Sequence, residues 1–400
     1  MAFRNLFRHK RRTILTASSM IVGFLLGAFF IGWADGSYNY IIDTFTRYRM
    51  GHIQIHKKGY LDKPSLYKTI DDVQNIANIL EKRKRIESWT PRVFSAGLVS
   101  VEDESAGAEI IGVHPRKEEQ TTNFDQKVIK GEYFSSSPSH EALLGKGLAQ
   151  LLNAQIGEDI IIVSQAADGS IANDRYNIKG LVDMGNEAAN RSSFYLHIKD
   201  AQELLVLDQK IHEIALTLNQ LRDVEKMTIL LQNNIQDPEI SVESWREFAK
   251  TFYRAMKADK EGMWISLVVV ILVVAIGVLN TVLMSVLERR REYGVLKALG
   301  TKPNHVFRLV LTEVTIMALI CIVIGGGLGF AVNSYFAHQG ISLGQPLTWG
   351  GMEIKVLKGE INLRSFVIPA VTILLTASLV SVFPALHAAR TEPARIMRMF

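Results

Sequence analysis

The chain has 400 residues, is 48% hydrophobic and 21% charged, and carries a formal net charge of +5. Its positive mean hydropathy is too high for an ordinary soluble protein, and its charge too abundant for a chain buried wholly in lipid. The single cysteine, Cys321, excludes a disulfide-built fold.

In chain order, the first element is a basic start, residues 1–12, with Arg4, Arg8, Lys10, Arg11 and Arg12. An uncharged run follows, and three more such runs recur later. Crossing a hydrocarbon core takes about 20 apolar residues at 1.5 Å rise each. The expected spans are 13–35, 264–287, 307–337 and 365–386. The first run is longer than a signal-peptide core, and FFIGWADG after it lacks the small residues that cleavage needs, so we expect a retained anchor. Arginine and lysine concentrate at 1–12, in the 288–306 loop (Arg289, Arg290, Arg291, Lys297, Lys302) and in the 387–400 tail. All three fall on one side of a four-span layout, so both ends are expected in the cytoplasm of an inner-membrane protein. The basic excess therefore orients the chain, and no nucleic-acid partner is implied.

Residues 36–263 form an insert on the far side, and 338–364 a shorter loop there. Helical stripes open and close the insert: Tyr38, Ile41, Ile42, Phe45 and Tyr48, then Trp245, Phe248, Phe252 and Met256. We expect these stripes to pack as a stalk. Strands are expected at 51–56, 92–101, 108–113, 158–164, 175–182, 193–198 and 211–218. Helices are expected at 69–82, 145–153, 200–207 and 220–234. The result is an integral membrane α-helical protein whose periplasmic insert is mixed α/β, of up to two subdomains.

Candidate chemistry is sparse. LLGKGLAQ at 143–150 lacks the spacing and hydroxyl of a phosphate loop. His52 and His56 share a strand face without a third ligand, and we read them as solvent-facing. No metal site, nucleophile elbow or covalent catalysis is expected. Gly23 and Gly27 form a GxxxG pair, and Gly325, Gly326, Gly327 and Gly329 smooth the third span, as helices packing in lipid require. Glu313 near the end of that span is expected to pair with Arg308 or with the 289–291 run.

The 288–306 loop is the most informative segment. Glu292, Tyr293, Gly294, Val295, Leu296, Lys297, Ala298 and Leu299 read as a short helix, Gly300 as its cap, and Pro303 as its stop. Tyr293, Leu296 and Gly300 lie on one stripe, with Val295 and Leu299 beside it. An apolar stripe on so short a helix points to a partner groove.

RREYGVLKALGTKPNHVFRLVLTEVTIMALICIVIGGGLG resembles the signature of the MacB/FtsX family of ABC-transporter permeases. Arg291, Glu292, Gly294, Lys297, Ala298, Leu299, Gly300, Glu313 and Gly325–Gly327 match it in order. FRNLFRHKRRTILT resembles the family's amphipathic N-terminal helix, and FPALHAARTEPARIMR its ending. The resemblance implies that 292–300 is a coupling helix gripped by a cytoplasmic ABC ATPase dimer. ATP and magnesium would bind that partner, leaving no cofactor and no enzyme activity on this chain. It implies a second permease, identical or a paralogue. TPRVFSAGLVS, VIKGEYF and LLGKGLAQLL resemble the lipoprotein-releasing, LolC/LolE-like group, which implies lipoprotein release from the membrane to a periplasmic carrier. In that group a hairpin recruits the carrier. The equivalent segment here is 164–176, with Gln165, Asp168, Gly169, Ser170 and Arg175, but it is short and lacks a proline. MacB-like export of peptides, lipids or toxins, and an FtsX-like relay to cell-wall hydrolases, are the alternatives.

Overall fold

The computed structural model describes residues 10–349 and 352–390. The N-terminal segment 1–9 and the tail 391–400, which include much of the two family-like ends, lie outside the described residues. The chain divides into two compact units.

The helical unit holds four helices long and apolar enough to cross a membrane. They run Lys10–Phe45, Lys250–Glu288, Pro303–Gln339 and Arg364–Arg390, each continuing past its uncharged window. Their shared core rests on residues spaced four apart. Val274, Val278, Val282 and Val286 on the second helix meet Val306, Val310, Val314 and Ala318 on the third, with Met20, Phe24 and Ala28 from the first. A four-residue spacing keeps side chains on one helical face.

The glycines explain the closest approaches. A Cβ on Gly23 would sit 2.3 Å from Val274, and one on Gly27 3.3 Å from Pro369. Gly325 faces Phe24 at 3.0 Å and Gly329 faces Ala28 at 3.3 Å. Gly23, Gly27 and Gly325 therefore serve packing within this chain. For Gly327 the expectation changes: a Cβ there would meet nothing within 4 Å, and one on Gly326 would only reach the edge of contact with Phe24. Gly325 and Gly329, four residues apart, are the members of that cluster that pack closely. The residues between 338 and 364, expected as plain loop, include the strands β11 (Ile341–Trp349) and β12 (Met352–Leu357).

The second unit is the α/β insert. Its strands are β1 (Ile53–Lys57), β2 (Ile86–Val101), β3 (Glu104–Val113), β4 (Val128–Gly131), β5 (Glu141–Gly145), β6 (Asp159–Gln165), β7 (Ile171–Val182), β8 (Ser193–His197), β9 (Glu213–Leu218) and β10 (Ile240–Ser244). They form one ten-stranded sheet in the order β10-β1-β9-β2-β3-β8-β5-β7-β4, with β6 bridging β2 and β7. One continuous sheet replaces the expected division into subdomains. The β3–β8 and β5–β7 pairs are parallel, so crossovers must pack helices against the sheet. The helix expected at 69–82 runs Val73–Glu81, and its N-cap is Asp72 in place of Thr69, accepting from the Asn75 amide at 3.2 Å. The two stalk stripes meet in a stacked pair, Phe45 on Phe252, with ring centroids 3.8 Å apart.

Glycines in LLGKGLAQ serve packing as well. A Cβ on Gly145 would lie 2.3 Å from the Asn190 carbonyl oxygen, and one on Gly147 2.9 Å from Arg191. Lys146 pairs with Asp183 at 2.5 Å.

The histidines depart from expectation. His52 and His56 are buried, not solvent-facing. His52 Nδ1 accepts from the Leu218 amide at 2.9 Å and its Nε2 lies 3.1 Å from Asp43. His56 Nε2 lies 3.1 Å from Glu213. Alternation put the two rings on one face, but helices and loops cover that face as well as the other. Among the described residues no cluster suits a metal ion.

Candidate functional site

The loop between the second and third spans is built around one corner. The second helix ends at Glu288, Arg289 breaks it, and a new helix runs Arg290–Ala298. The Arg289 guanidinium spans that break. It donates to both Glu313 oxygens, at 3.0 and 2.9 Å, and to Glu292 at 2.9 Å. It also lies 5.3 Å from the Tyr293 ring centroid. Glu313 thus finds its partner in the 289–291 run rather than in Arg308. One guanidinium nitrogen, Nη1, reaches both Glu313 oxygens while Nε reaches Glu292, and these charge-assisted bonds hold the short helix to the third span.

The other end is fixed by its cap. Gly300 adopts φ +92°. Its amide donates to the Lys297 carbonyl at 3.0 Å, and the Thr301 amide donates to Leu296 at 3.1 Å. These two bonds make the Schellman closure, which favours glycine at that position. Lys297 Nζ donates to the Ala389 carbonyl at 2.8 Å, and Arg290 lies 2.9 Å from His387. Three spans therefore restrain a helix of nine residues that would be marginal alone.

Side-chain directions revise the stripe. Tyr293 is buried in the helical core and Leu296 packs against it, while Gly294 is buried too. The outward apolar side chains are Val295, 51% exposed, and Leu299, 79% exposed. Glu292, Lys297, Ala298 and Gly300 lie around them, half-buried or exposed. Tyr293 and Leu296 therefore anchor the helix, and Val295 and Leu299 present it.

The 164–176 segment is a tight β6–β7 hairpin, Gln165 facing Ile171 across it. Asp168 Oδ1 accepts from the Ser170 amide at 2.9 Å and its hydroxyl at 2.6 Å, and Gly169 turns at φ +88°. Arg175 lies 3.6 Å from Asp159 across the same pair of strands. The hairpin is tied down at its turn: Ala166 is buried, and the Ala167 amide donates to the Leu205 carbonyl at 2.8 Å. Register places Leu98 beside Val163, and both are exposed together with Ile161 and Ile171. This apolar sheet face escaped the sequence reading. Its residues come from three strands, and alternation alone did not say which face was bare.

Four membrane helices, a large α/β insert after the first of them, and a clamped helix between the second and third define a permease of the ABC-transporter type. Two family models account for the chain, a MacB-like periplasmic core domain over residues 13–233 and an FtsX-like permease C-terminal domain over 264–393. The chain belongs to the MacB/FtsX family of permeases. It is 23% identical over 354 residues to the lipoprotein-releasing system transmembrane protein LolC of Neisseria meningitidis, covering 85% of this chain and 83% of that one. It is 21% identical over 404 residues to an ABC transporter permease of Methanocaldococcus jannaschii, covering 99% and 96%. Against the macrolide export ATP-binding/permease protein MacB of Neisseria gonorrhoeae it is 22% identical over 370 residues, covering 84% of this chain and 53% of that one. Among solved structures it resembles the periplasmic region of MacB from Actinobacillus actinomycetemcomitans, at TM-score 0.39 and 16% identity, over 53% of this chain and 97% of that one.

Proposed function

We propose that this permease transmits movement between a separate cytoplasmic ABC ATPase dimer and the α/β insert, and that its cargo is lipoprotein leaving the inner membrane. The termini and the 288–306 loop lie in the cytoplasm, and the insert lies in the periplasm. The permease works as a pair, with a second copy or a paralogue. ATP and magnesium bind the ATPase, whose grooves receive the Arg290–Ala298 helix.

The observation that carries this reading is the outward pair Val295 and Leu299 on a helix fixed by Arg289, Lys297 and Gly300. A rigidly mounted, exposed apolar pair is suited to transmitting force from a groove, because motion of the helix is motion of the spans. Relatives that carry the names LolC and LolE, matched over about four-fifths of their lengths, support the lipoprotein cargo. The exposed Leu98, Val163 and Ile171 face is where a periplasmic carrier would dock.

The test is the double variant Val295→Asp, Leu299→Asp. Membrane insertion and thermal stability should be unchanged. ATP turnover coupled to the permease should fall about ten-fold or more, as expected when two central apolar contacts are lost. Undiminished turnover would remove the coupling assignment. A second reading, export in the manner of MacB, is favoured by the MacB-like core domain spanning 13–233. Depletion of the permease decides between them. Lipoproteins retained in the inner membrane support release, and their normal sorting supports export.

A further inference from the structure

The insert carries a cavity of about 680 Å³ that is open to solvent, well within the roughly 300–1,000 Å³ range of small-molecule sites. One face of the large sheet forms its floor, with Gln54, Arg92, Phe94, Glu109, Ile111 and Glu213 lining it. Opposite lie Pro64, Leu66, Phe124, Lys127 and Phe248. The Leu66 end is held in place: His212 Nε2 lies 3.0 Å from the Leu66 carbonyl, and Tyr60 stacks between His56 and His212.

The charges on these walls are unevenly committed. Glu109 pairs with Arg49 at 3.1 Å. Glu118 and Glu213 both pair with Arg92, at 2.6 and 2.9 Å. Lys127 is the third lining cation, and among the described residues no carboxylate lies within 4 Å of it. It is buried, donates to the Tyr48 carbonyl, and lies 4.4 Å and 5.1 Å from the ring centroids of Tyr48 and Phe124. Burial pushes its ammonium down to about 7; Glu118 and Asp125 favour the charge, and Arg92 and Arg49 oppose it. A buried cation repelled by two arginines gains most from an incoming anion. Phe94, Ile111, Val113, Phe124, Met184 and Phe248 give the wall an apolar stretch suited to hydrocarbon, beside the neutral polar side chains of Ser65, Ser95, Ser164 and Tyr195.

We propose that this cavity binds an amphipathic anion, a carboxylate or phosphate monoester on an apolar body, with its charged end at Lys127 and its body along Phe94, Ile111 and Phe124. The site depends neither on the cargo nor on the coupling described above. Binding draws a proton onto Lys127, because the anion stabilises the ammonium. Lys127 is mostly charged at pH 6.5 and mostly neutral at pH 8.5, so affinity falls as pH rises through that window.

The test is calorimetric titration of the full chain in amphipol with octanoate, octyl phosphate and the neutral octanamide. One equivalent of at least one anion should bind, with octanamide about ten-fold weaker or worse. Octanoate, ionised throughout, should bind about ten-fold more weakly at pH 8.5 than at 6.5. The preferred headgroup tells a carboxylate from a phosphate source. Lys127→Met should remove the pH dependence and Lys127→Arg should keep anion binding. Ile111→Trp, which retains Lys127 but fills the cavity, should abolish binding and guards against a folding defect in the first variant. Equal binding of octanoate and octanamide would overturn the proposal, as would an unchanged pH profile in Lys127→Met or undiminished binding in Ile111→Trp.

Discussion

Arg92 and Arg289 do related work in the two units, each joining two carboxylates, but only the partners of Arg92 are both buried. Arg92 takes Glu118 and Glu213. Burial alone would raise both carboxyls; the Arg92 guanidinium, with His56 at Glu213, brings them below the usual range. Removing the shared cation leaves two buried carboxylates without their arginine; among the described residues Glu118 keeps only Thr90 and Thr122, and Glu213 only His56. Arg92→Met should therefore cost roughly 3–5 kcal/mol, read as a lowered unfolding midpoint of the insert. Arg47→Met, at a more exposed pair, should cost under about 1 kcal/mol. Equal losses in the two variants would contradict the burial argument. At this scale the sequence was partly legible. Glu313 announced a basic partner because an acid beside a span needs one. Arg92, Glu118 and Glu213 gave no such sign, since their meeting depends on strands and a helix far apart in the chain. The histidines failed for a related reason. Period two says which residues share a face, and does not say whether that face is covered.

Among elements, the short helix after Arg289 is where local signals were strongest. Cap glycine, breaking proline and terminal lysine all lie within a few residues of one another, so they could be read without tertiary knowledge. Which side faces outward could not, because Tyr293 and Leu296 are as apolar as Val295 and Leu299. Only packing against the spans separates anchor from presentation. The cap permits a sharp check. Gly300 holds φ +92°, where a β-branched side chain is strained by about 1–2 kcal/mol. Gly300→Val should lower thermal stability and coupled ATP turnover, while Gly300→Asn, which tolerates that region, should retain most of both. Identical behaviour of the two variants would mean that the closure is unimportant. The hairpin illustrates the limit of turn chemistry. Asp168-Gly169 announced its turn, but the anchoring of Ala167 to Leu205 is a long-range contact.

For the whole molecule, hydropathy carried the most information. Four uncharged runs gave four helices, since lipid imposes length and satisfied backbone bonds on anything that crosses it. Seven strands and four helices of the insert were legible from alternation and periodicity. The missed strands were short or covered on both faces. β5, EALLG, is buried along nearly its whole length, so it shows no alternation to detect, and β4 and β10 run to only four and five residues. The cavity was invisible because its walls come from six strands and the connections over them. Function follows from the junction of the two kinds of information, a readable coupling segment and a mounting that only the fold displays.

The most direct measurement is site-specific photocrosslinking in intact cells from position 299, with position 293 as the inward control. A photoreactive phenylalanine analogue replaces Leu299 or Tyr293, and the captured protein is identified by mass spectrometry. An ABC-type ATPase crosslinked from position 299 and absent from position 293 is the expected result. A chain that is stably inserted yet captures no ATPase from position 299 would contradict the proposed coupling.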